Sequence, residues 1–393
     1  MNLQKLKSLI NYNFGIREKP LVLQMPITSR CNSRCKTCNV WKFHENIDID
    51  ATALKMALKD SFFSEVSSVG INGGEFTLVP TFLDILDSVL TLPKIKNIHL
   101  ISNGLFPKRL FEYLAESKIR CAKKNVLLHI CISVDGYGER HEIVRGIQNC
   151  FSKTKIIIDT LYNHSEKYCN SFSVGCTISL HNINYIKETQ DFFNSYKNLQ
   201  VEYHCAIPNK RIKTFNKADY YVLNDEKKRL LTAEFFYERY RNSTNLNQRY
   251  QNFSNFYFLI HNGRQRINTC AYYHRDVTID ENLNLILCAT ASDIIGNLRN
   301  ESASKLIKSH KCRSIQKKIK HYCNNCGHYS YHPLTIRGRL AYINYEMQNK
   351  FALSFYELDR TNHYRYIFNL LRFAKNCIKE YLRQIYYLLW KLQ

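Results

Sequence analysis

The chain has 393 residues, of which 45% are hydrophobic, so it is long enough to bury a sizeable core and predicts two packed units with appendages. The first twenty residues contain no continuous apolar segment, and no stretch reaches the roughly 18 uninterrupted apolar residues of a membrane span, which excludes a secretory signal and a spanning helix. The net charge of +23 favours phosphate-bearing or polyanionic partners, but an AT-rich genome that favours lysine codons explains it as well, so charge selects no function. We expect a cytoplasmic protein whose fifteen cysteines bind metal or clusters, or pack in the core, rather than form disulfides.

Six short apolar segments alternate with amphipathic stretches over residues 21–241. The predicted strands are 21–27, 66–72, 95–102, 126–135, 171–180 and 199–207. Among the intervening segments, 50–63 has an acidic cap and apolar residues three and four apart, and 80–90 begins with proline, as helices often do. Strands that alternate with helices predict an α/β fold with a parallel sheet, either open or barrel-like.

Polar and small residues follow the first four predicted strands. The sequence TSRCNSRCKTC carries Cys31, Cys35 and Cys38 after the first strand, and GGE (73–75), NG (103–104) and SVDG (133–136) follow the next three. Each is compatible with an ordinary turn. Because parallel sheets build their sites at the carboxyl ends of their strands, the four together favour one functional rim.

Three cysteines leave one corner of a four-ligand metal site without a protein ligand. The spacing CxxxCxxC, followed by GGE, NG and SxDG at successive strand ends, resembles the radical S-adenosylmethionine (SAM) enzymes. The resemblance implies a partial (β/α)6 barrel in which Cys31, Cys35 and Cys38 hold a [4Fe-4S] cluster whose open iron binds SAM. It also implies the following SAM-binding residues: Gly73, Gly74, Glu75, Ser102, Asn103, Ser133, Asp135, Arg145 (in HEIVRG) and, as a weaker match, Asn182. Many members have an aromatic residue before the third cysteine, where this chain has Thr37.

Four later cysteines form a second group that ends in CNNC. Their number and the close pair are compatible with a closed zinc site. Beside a radical SAM barrel, the group resembles the auxiliary-cluster extension called twitch, a shorter relative of SPASM, which implies a second [4Fe-4S] cluster. The ligands would be Cys270, Cys288, Cys323 and Cys326, with Cys312 as a less favoured substitute. Leu283 occupies the position of the glycine usual in that extension's hairpin, so the turn there is not predicted.

The domain organisation follows from these motifs. We predict an N-terminal extension (1–20), the partial barrel (21–241), a linker rich in Asn and Gln (242–268), an auxiliary-cluster domain (269–335) and a basic helical tail (336–393). Apolar spacing over 360–393 predicts an amphipathic helix. Such a helix most often packs on its own domain, and the alternative is attachment to the anionic inner membrane face.

The resemblance implies an enzyme that cleaves SAM with an electron from a flavodoxin- or ferredoxin-type donor and removes hydrogen from its substrate. The triad begins at residue 31, which leaves no room for an N-terminal leader-binding domain and favours a small-molecule substrate, such as a sugar, a lipid-linked envelope precursor or a phosphate-bearing molecule. Two alternatives remain: a radical SAM enzyme that modifies peptide or RNA, and a non-enzymatic metal-binding or electron-transfer protein. RNA is the less favoured partner because no RNA-binding module is recognisable.

Overall fold

The computed structural model describes residues 10–11, 16–216, 218–264, 266–267, 270–323 and 325–328. Within these residues one sheet has nine strands in the order β6-β5-β4-β3-β2-β1-β7-β8-β9. The first six strands are β1 (Val22–Pro26), β2 (Ser68–Asn72), β3 (Asn97–Ser102), β4 (Leu127–Ser133), β5 (Ser171–Ile178) and β6 (Val201–Cys205). Neighbours among these six pair in parallel, and each lies within one of the six predicted segments, so the predicted parallel α/β sheet is confirmed.

Helices connect and cover these strands. They are α1 (Ala51–Ala57), α2 (Phe82–Val89), α3 (Pro107–Ala122), α4 (Glu139–Arg145), α5 (Cys150–Tyr168), α6 (Ile186–Asn194), α7 (Glu226–Asn242), α8 (Leu246–Ile260), α9 (Ala271–His274), α10 (Ala303–Lys308) and α11 (His310–Cys323). The predicted helix 50–63 is divided, because Asp50 caps α1 and Asp60 caps a separate 3-10 turn, Ser61–Phe63. The predicted helix 80–90 begins at Phe82, two residues after its proline.

Side chains alternate across the strands, so one face of the sheet is apolar and the other polar. In β4, Leu128, Ile130 and Ile132 are fully buried in the core beneath the helices. His129 and Cys131 lie between them on the opposite face. The polar face of the sheet is therefore available for a site.

The C-terminal strands extend the same sheet. They are β7 (Val277–Ile279), β8 (Asn284–Ile286) and β9 (Ile294–Asn297), and β7 pairs in parallel with β1, Leu23 opposite Val277. In the β7–β8 turn Leu283 has φ +63°, a conformation that costs a bulky residue about 1–2 kcal/mol. Its side chain is only 1% exposed, so burial offsets that cost. The segment predicted as an auxiliary domain thus begins as an extension of the barrel sheet.

The segment 242–268, predicted as a linker, contains helix α8. Asn245 caps this helix, because its Oδ1 accepts hydrogen bonds from the N–H groups of Asn247 and Gln248. The ring centroids of Phe253 on α8 and Tyr240 on α7 are 5.6 Å apart, in a small separate core. The segment is therefore packed structure over most of its length.

The predicted tail 336–393, with its amphipathic helix at 360–393, lies outside the described residues. Among the helices that are described, none has both the length and the apolar character needed to cross a membrane.

Candidate functional site

The three-cysteine segment, residues 28–38, follows β1 and is here called the cysteine loop. Its first part lies against the GGE segment: the N–H of Gly74 donates to the carbonyl of Thr28 and that of Glu75 to the carbonyl of Arg30, both at 2.8 Å. A Cβ atom on Gly74 would lie 1.8 Å from the Arg30 carbonyl oxygen, and Gly73 has φ +134°. Both glycines are therefore required for the close approach of these two backbones.

The second part of the cysteine loop lies against the end of α4. The N–H groups of Arg34 and Lys36 donate to the carbonyls of Arg145 and Val144, both at 2.9 Å. Gly146 ends α4 at φ +65°, and a Cβ there would lie 2.5 Å from the Arg34 carbonyl oxygen. Two motifs that follow other strands thus fix the cysteine loop by backbone contacts, whatever it binds.

The three thiols lie near one another and near hydrogen-bond donors. Arg145 Nη1 is 3.6 Å from the Cys35 sulfur, and Asn103 Nδ2 is 3.9 Å from that of Cys31. Desolvation raises the pKa of Cys31 to about 12 and that of Cys38 to about 11, and each is raised further by the neighbouring thiols. These thiols need a bound cation to be ionised at neutral pH, and soft sulfur ligands of this kind suit iron–sulfur clusters, so the residues present fit a [4Fe-4S] group.

Glu75 joins the ends of β2 and β3. Its carboxylate is 1% exposed and accepts hydrogen bonds from the N–H of Asn103 at 2.7 Å and the hydroxyl of Ser102 at 3.0 Å. It also accepts one from the Thr77 hydroxyl at 2.9 Å. Burial raises the pKa of Glu75, although these donors oppose the rise. The Glu75 side chain is therefore satisfied within the protein, and the backbone of the GGE segment is the part left to contact a ligand.

Asp135, Arg145 and Asn182 form one group at the ends of β4 and β5, linked by an ion pair and a hydrogen bond. Arg145 Nε is 3.0 Å from Asp135 Oδ2, and Asn182 Nδ2 donates to the Asp135 carbonyl at 2.9 Å. Burial alone would lower the pKa of Arg145, but the charge of Asp135 and the interactions with Cys35 and Cys31 together raise that pKa above its usual value. Ser133, the last residue of β4, pairs with Gly175 of β5 beside this group. The structure thus brings all nine residues predicted to contact SAM to the carboxyl rim that carries the cysteine loop.

His141 is a site residue that the sequence interpretation missed. It is fully buried, and its Nδ1 accepts a hydrogen bond from the N–H of Asp135 at 3.1 Å. Burial lowers the pKa of His141 well below its usual value, so the ring is neutral. His141 is the first residue of the motif HEIVRG, of which the sequence interpretation used only the arginine.

The structure also gathers the four later cysteines. Cys270 precedes α9, Cys288 follows β8, Cys323 ends α11 and Cys326 lies just beyond it. Burial raises the pKa of Cys323, and the charges of the other three cysteines raise that pKa further. Arg266 Nη1 donates to the Cys326 carbonyl at 2.9 Å and places positive charge beside these thiols.

The alternative ligand Cys312 belongs to the start of the same helix as Cys323. It is 2% exposed, and the rise of about 1.5 Å per residue along α11 separates the two Cα atoms by roughly 16 Å. That separation disfavours the two cysteines as ligands of one cluster. Across the residues that the structure describes, no three His, Cys, Asp or Glu side chains converge closely enough to bind a single metal ion.

Comparison with known proteins identifies the barrel. Residues 25–193 match the family model described as the Radical SAM superfamily. The chain carries a radical SAM domain. This confirms the family resemblance of the cysteine loop and the strand-end motifs, while the auxiliary-domain part of the resemblance stays a prediction.

Two curated relatives match parts of this chain. The GTP 3',8-cyclase of Acaryochloris marina (strain MBIC 11017) is 28% identical over 104 residues, 25% of this chain and 31% of the relative. The GTP 3',8-cyclase of Pasteurella multocida (strain Pm70) is 27% identical over 144 residues, 33% of this chain and 40% of the relative. The matches thus span a minor part of either relative's length.

Solved structures match more of this chain at lower identity. The structure described as native anSMEcpe with bound AdoMet and Cp18Cys peptide is 17% identical with a TM-score of 0.55, covering 85% of this chain and 98% of that one. Streptococcus suis SuiB bound to S-adenosylmethionine is 17% identical with a TM-score of 0.54, covering 81% of this chain and 71% of that one. These likenesses establish the fold.

Proposed function

We propose that this chain is a radical SAM enzyme that holds a [4Fe-4S] cluster through Cys31, Cys35 and Cys38 and cleaves SAM reductively. The observation that carries the proposal is a loop of three neighbouring thiols, fixed by backbone contacts at the carboxyl rim of a radical SAM domain. When bound, the cluster and SAM supply a 5′-deoxyadenosyl radical and methionine from one electron, and that radical abstracts hydrogen from an unactivated carbon. A flavodoxin- or ferredoxin-type protein supplies the electron.

The residues of the rim orient the cofactor. The Glu75 carboxylate is engaged with Ser102, Asn103 and Thr77, so it holds the ends of β2 and β3 at a fixed spacing while the GGE backbone meets the amino group of SAM. Arg145 carries a positive charge next to the Cys35 sulfur and is the candidate partner for the SAM carboxylate. Asp135 orients that guanidinium.

A second [4Fe-4S] cluster, held by Cys270, Cys288, Cys323 and Cys326, completes the proposal. The mutual repulsion of their thiolates favours a shared cationic occupant, and the positive charge of Arg266 would offset the net negative charge of a cluster that binds four thiolates. Such a cluster would accept the second electron from a substrate radical, giving an oxidised product and making the reaction that of an oxidoreductase. Zinc at this site is the alternative that metal analysis decides.

The substrate proposed here is a small molecule, such as a sugar or a lipid-linked envelope precursor. A peptide is the second candidate, because the neighbours anSMEcpe and SuiB are described with bound peptides. At 15–17% identity, those likenesses support the fold but not the substrate. A substrate test therefore has to include small molecules and peptides.

Anaerobic reconstitution with iron and sulfide tests the proposal. The wild-type protein should form 5′-deoxyadenosine from SAM and dithionite, whereas Cys35→Ala should lose at least about a hundredfold of that activity and keep the iron of the second site. Cys121→Ala, which changes a buried thiol on α3, is the matched control and should keep both. Zinc in both sites, or undiminished SAM cleavage by Cys35→Ala, would contradict the cluster assignment.

A further inference from the structure

A cavity of about 780 Å³ opens on the polar face of the sheet, away from the rim residues described above. His99 of β3, His129 of β4, Glu202 of β6 and Arg239 of α7 line it, together with amide side chains from the start of α8. Its volume lies within the range of small-molecule sites, roughly 300–1,000 Å³.

A hydrogen-bonded chain orders one wall of the cavity. The Ser173 hydroxyl lies 3.0 Å from both His129 Nε2 and Glu202 Oε1, and His129 Nδ1 lies 2.9 Å from the Ser171 hydroxyl. Because a carboxylate accepts, Ser173 donates to Glu202 and must accept from His129 Nε2–H, which leaves Nδ1 to accept from Ser171. Glu202 is thereby fixed through Oε1, while its Oε2 makes no hydrogen bond within the described part of the chain.

The histidines of this wall are neutral. The rings of His99 and His129 lie 5.4 Å apart, and desolvation lowers the pKa of both. In the absence of a charged imidazole, Arg239 is the cation among these lining groups.

Arg239 is held by aromatic rings instead of by hydrogen-bond acceptors. Its guanidinium carbon lies 4.3 Å from the ring centroid of Tyr203 and 5.8 Å from that of Phe235. Its Nε is buried without a partner, and the side chain donates no hydrogen bond to the residues that the structure describes. Buried guanidinium donors are normally satisfied, so this arrangement points to a ligand.

Strand pairing connects one wall of the cavity to the rim. Glu202 pairs with Gly175, and Gly175 pairs with Ser133, so the cavity wall and the predicted SAM-side residue Ser133 share one row across three strands. Two residues further along β5 and β6, Thr177 lies 3.0 Å from His204, and its N–H donates to Asp135 at 2.8 Å. The cavity wall and the rim are thus parts of one hydrogen-bonded sheet.

We infer that this cavity binds the substrate of the proposed reaction, and that the substrate is a small hydroxyl-rich molecule bearing one carboxylate or phosphate. The planar guanidinium of Arg239 matches either anion in bidentate geometry. Glu202 Oε2 and the Asn and Gln side chains suit hydroxyl groups, which donate and accept. The assignment of the ligand as substrate rests on the proposed function, whereas its chemical class rests on the cavity.

Calorimetric titration of the full-length, reconstituted protein with glucose 6-phosphate, glucuronate and glucose tests the inference. One of the two acidic probes should bind, and more tightly than glucose. Arg239→Gln should weaken its binding by about tenfold to a hundredfold, the effect of losing a charge-assisted pair, and Glu202→Gln should weaken the binding of that probe and of glucose. Arg239→Lys, which keeps the charge but loses the planar fork, should lie between wild type and Arg239→Gln.

The control is Arg241→Gln, an exposed residue on the same helix, which should bind like wild type. The preferred probe distinguishes phosphate from carboxylate. The inference would be overturned if neither acid binds at 10 mM, which means a binding free energy weaker than about −3 kcal/mol. Equal effects of Arg239→Gln and Arg241→Gln on binding would also overturn it. Formation of 5′-deoxyadenosine without added substrate is measured in the same samples, so loss of probe binding with intact SAM cleavage rejects the inference alone, and the converse rejects the proposed function.

Discussion

The two cysteine groups are built differently. Cys31, Cys35 and Cys38 lie on one short loop, whose backbone is held by the segments after β2 and α4. Cys270, Cys288, Cys323 and Cys326 come from segments far apart in the sequence, joined through the β7–β8 hairpin and α11.

The second group also depends on a contact with the start of the chain. The Arg17 guanidinium donates to the carbonyls of Tyr272, Tyr273, Arg275 and Asp276 at 2.7–3.1 Å, directly after Cys270. Because β7 pairs with β1, the barrel supports the second group, while the cysteine loop needs only the barrel. We therefore expect the second site to depend on contacts that the first does not need, and the predictions below test that asymmetry.

The largest effect is expected from Gly74→Ala. Its new Cβ would overlap the Arg30 carbonyl at 1.8 Å, and overpacking of this kind costs about 1–3 kcal/mol or forces the loop to move. Iron at the first site and SAM cleavage should be lost, while iron at the second site is retained. Ser152→Thr, which adds one methyl group at an exposed position on α5, is the control; loss of SAM cleavage in Ser152→Thr as well would contradict the packing argument.

Arg17→Met should break the second group selectively. Removing a guanidinium that satisfies four carbonyl oxygens should cost roughly 2–4 kcal/mol in the segment after Cys270. Iron content should fall by about half, as expected when one of two [4Fe-4S] clusters is lost, with 5′-deoxyadenosine formation kept. Lys19→Met, at an exposed residue nearby, should change neither quantity; equal iron loss at both sites in Arg17→Met would refute the asymmetry.

Lowering the pH should first destabilise the segment after Cys270, which contains His274. Burial, and then the charge of Arg17, lower the pKa of His274 to about 4 from 6.5. Since the unfolded state binds this proton at higher pH than the folded state, stability should fall as pH drops from about 6.5 toward 4, by up to about 2–3 kcal/mol. Denaturant unfolding between pH 7 and 5 should show this slope in wild type and lose most of it in His274→Gln. An unchanged slope in His274→Gln would exclude this origin.

The smallest effect is expected from Asp60→Asn. Burial alone would raise the pKa of Asp60, but hydrogen bonds from Ser304 and from the N–H of Phe62 hold it below its usual value. This carboxylate joins α10 to the barrel, so its contribution of about 1 kcal/mol should be present above pH 3.8 and lost as pH falls through the lower folded-state pKa. Thermal unfolding of Asp60→Asn should show a lower Tm at pH 7 and a smaller difference from wild type near pH 3. A constant difference across that range would contradict the assignment.

The sequence predicted the local parts of this structure well. Each of the six barrel strands was visible as an apolar segment, and the nine rim residues could be selected because polar motifs follow those strands. The same motifs did not reveal that Gly74 and Gly146 support the cysteine loop, because close backbone approach depends on tertiary geometry.

Non-local features were harder to predict. Helix α8 was not predicted because its sequence is rich in polar residues. Its aromatic residues Phe253 and Phe256 pack on α7. The pairing of β7 with β1 joins segments about 250 residues apart, and no local sequence pattern predicts it. Leu283 has a positive φ at the position where glycine is usual, because burial of its side chain offsets the backbone strain. Turn propensities do not include such burial, so they could not predict this turn.

The central claim is that three thiols leave one iron open to SAM while four close the other cluster. Electron paramagnetic resonance of the reduced, reconstituted protein with and without SAM tests it most directly. SAM should change the cluster signal in wild type and in Cys323→Ala, and leave unchanged the remaining signal of Cys35→Ala. A signal in Cys35→Ala that responds to SAM, or a Cys323→Ala signal that does not, would contradict the account.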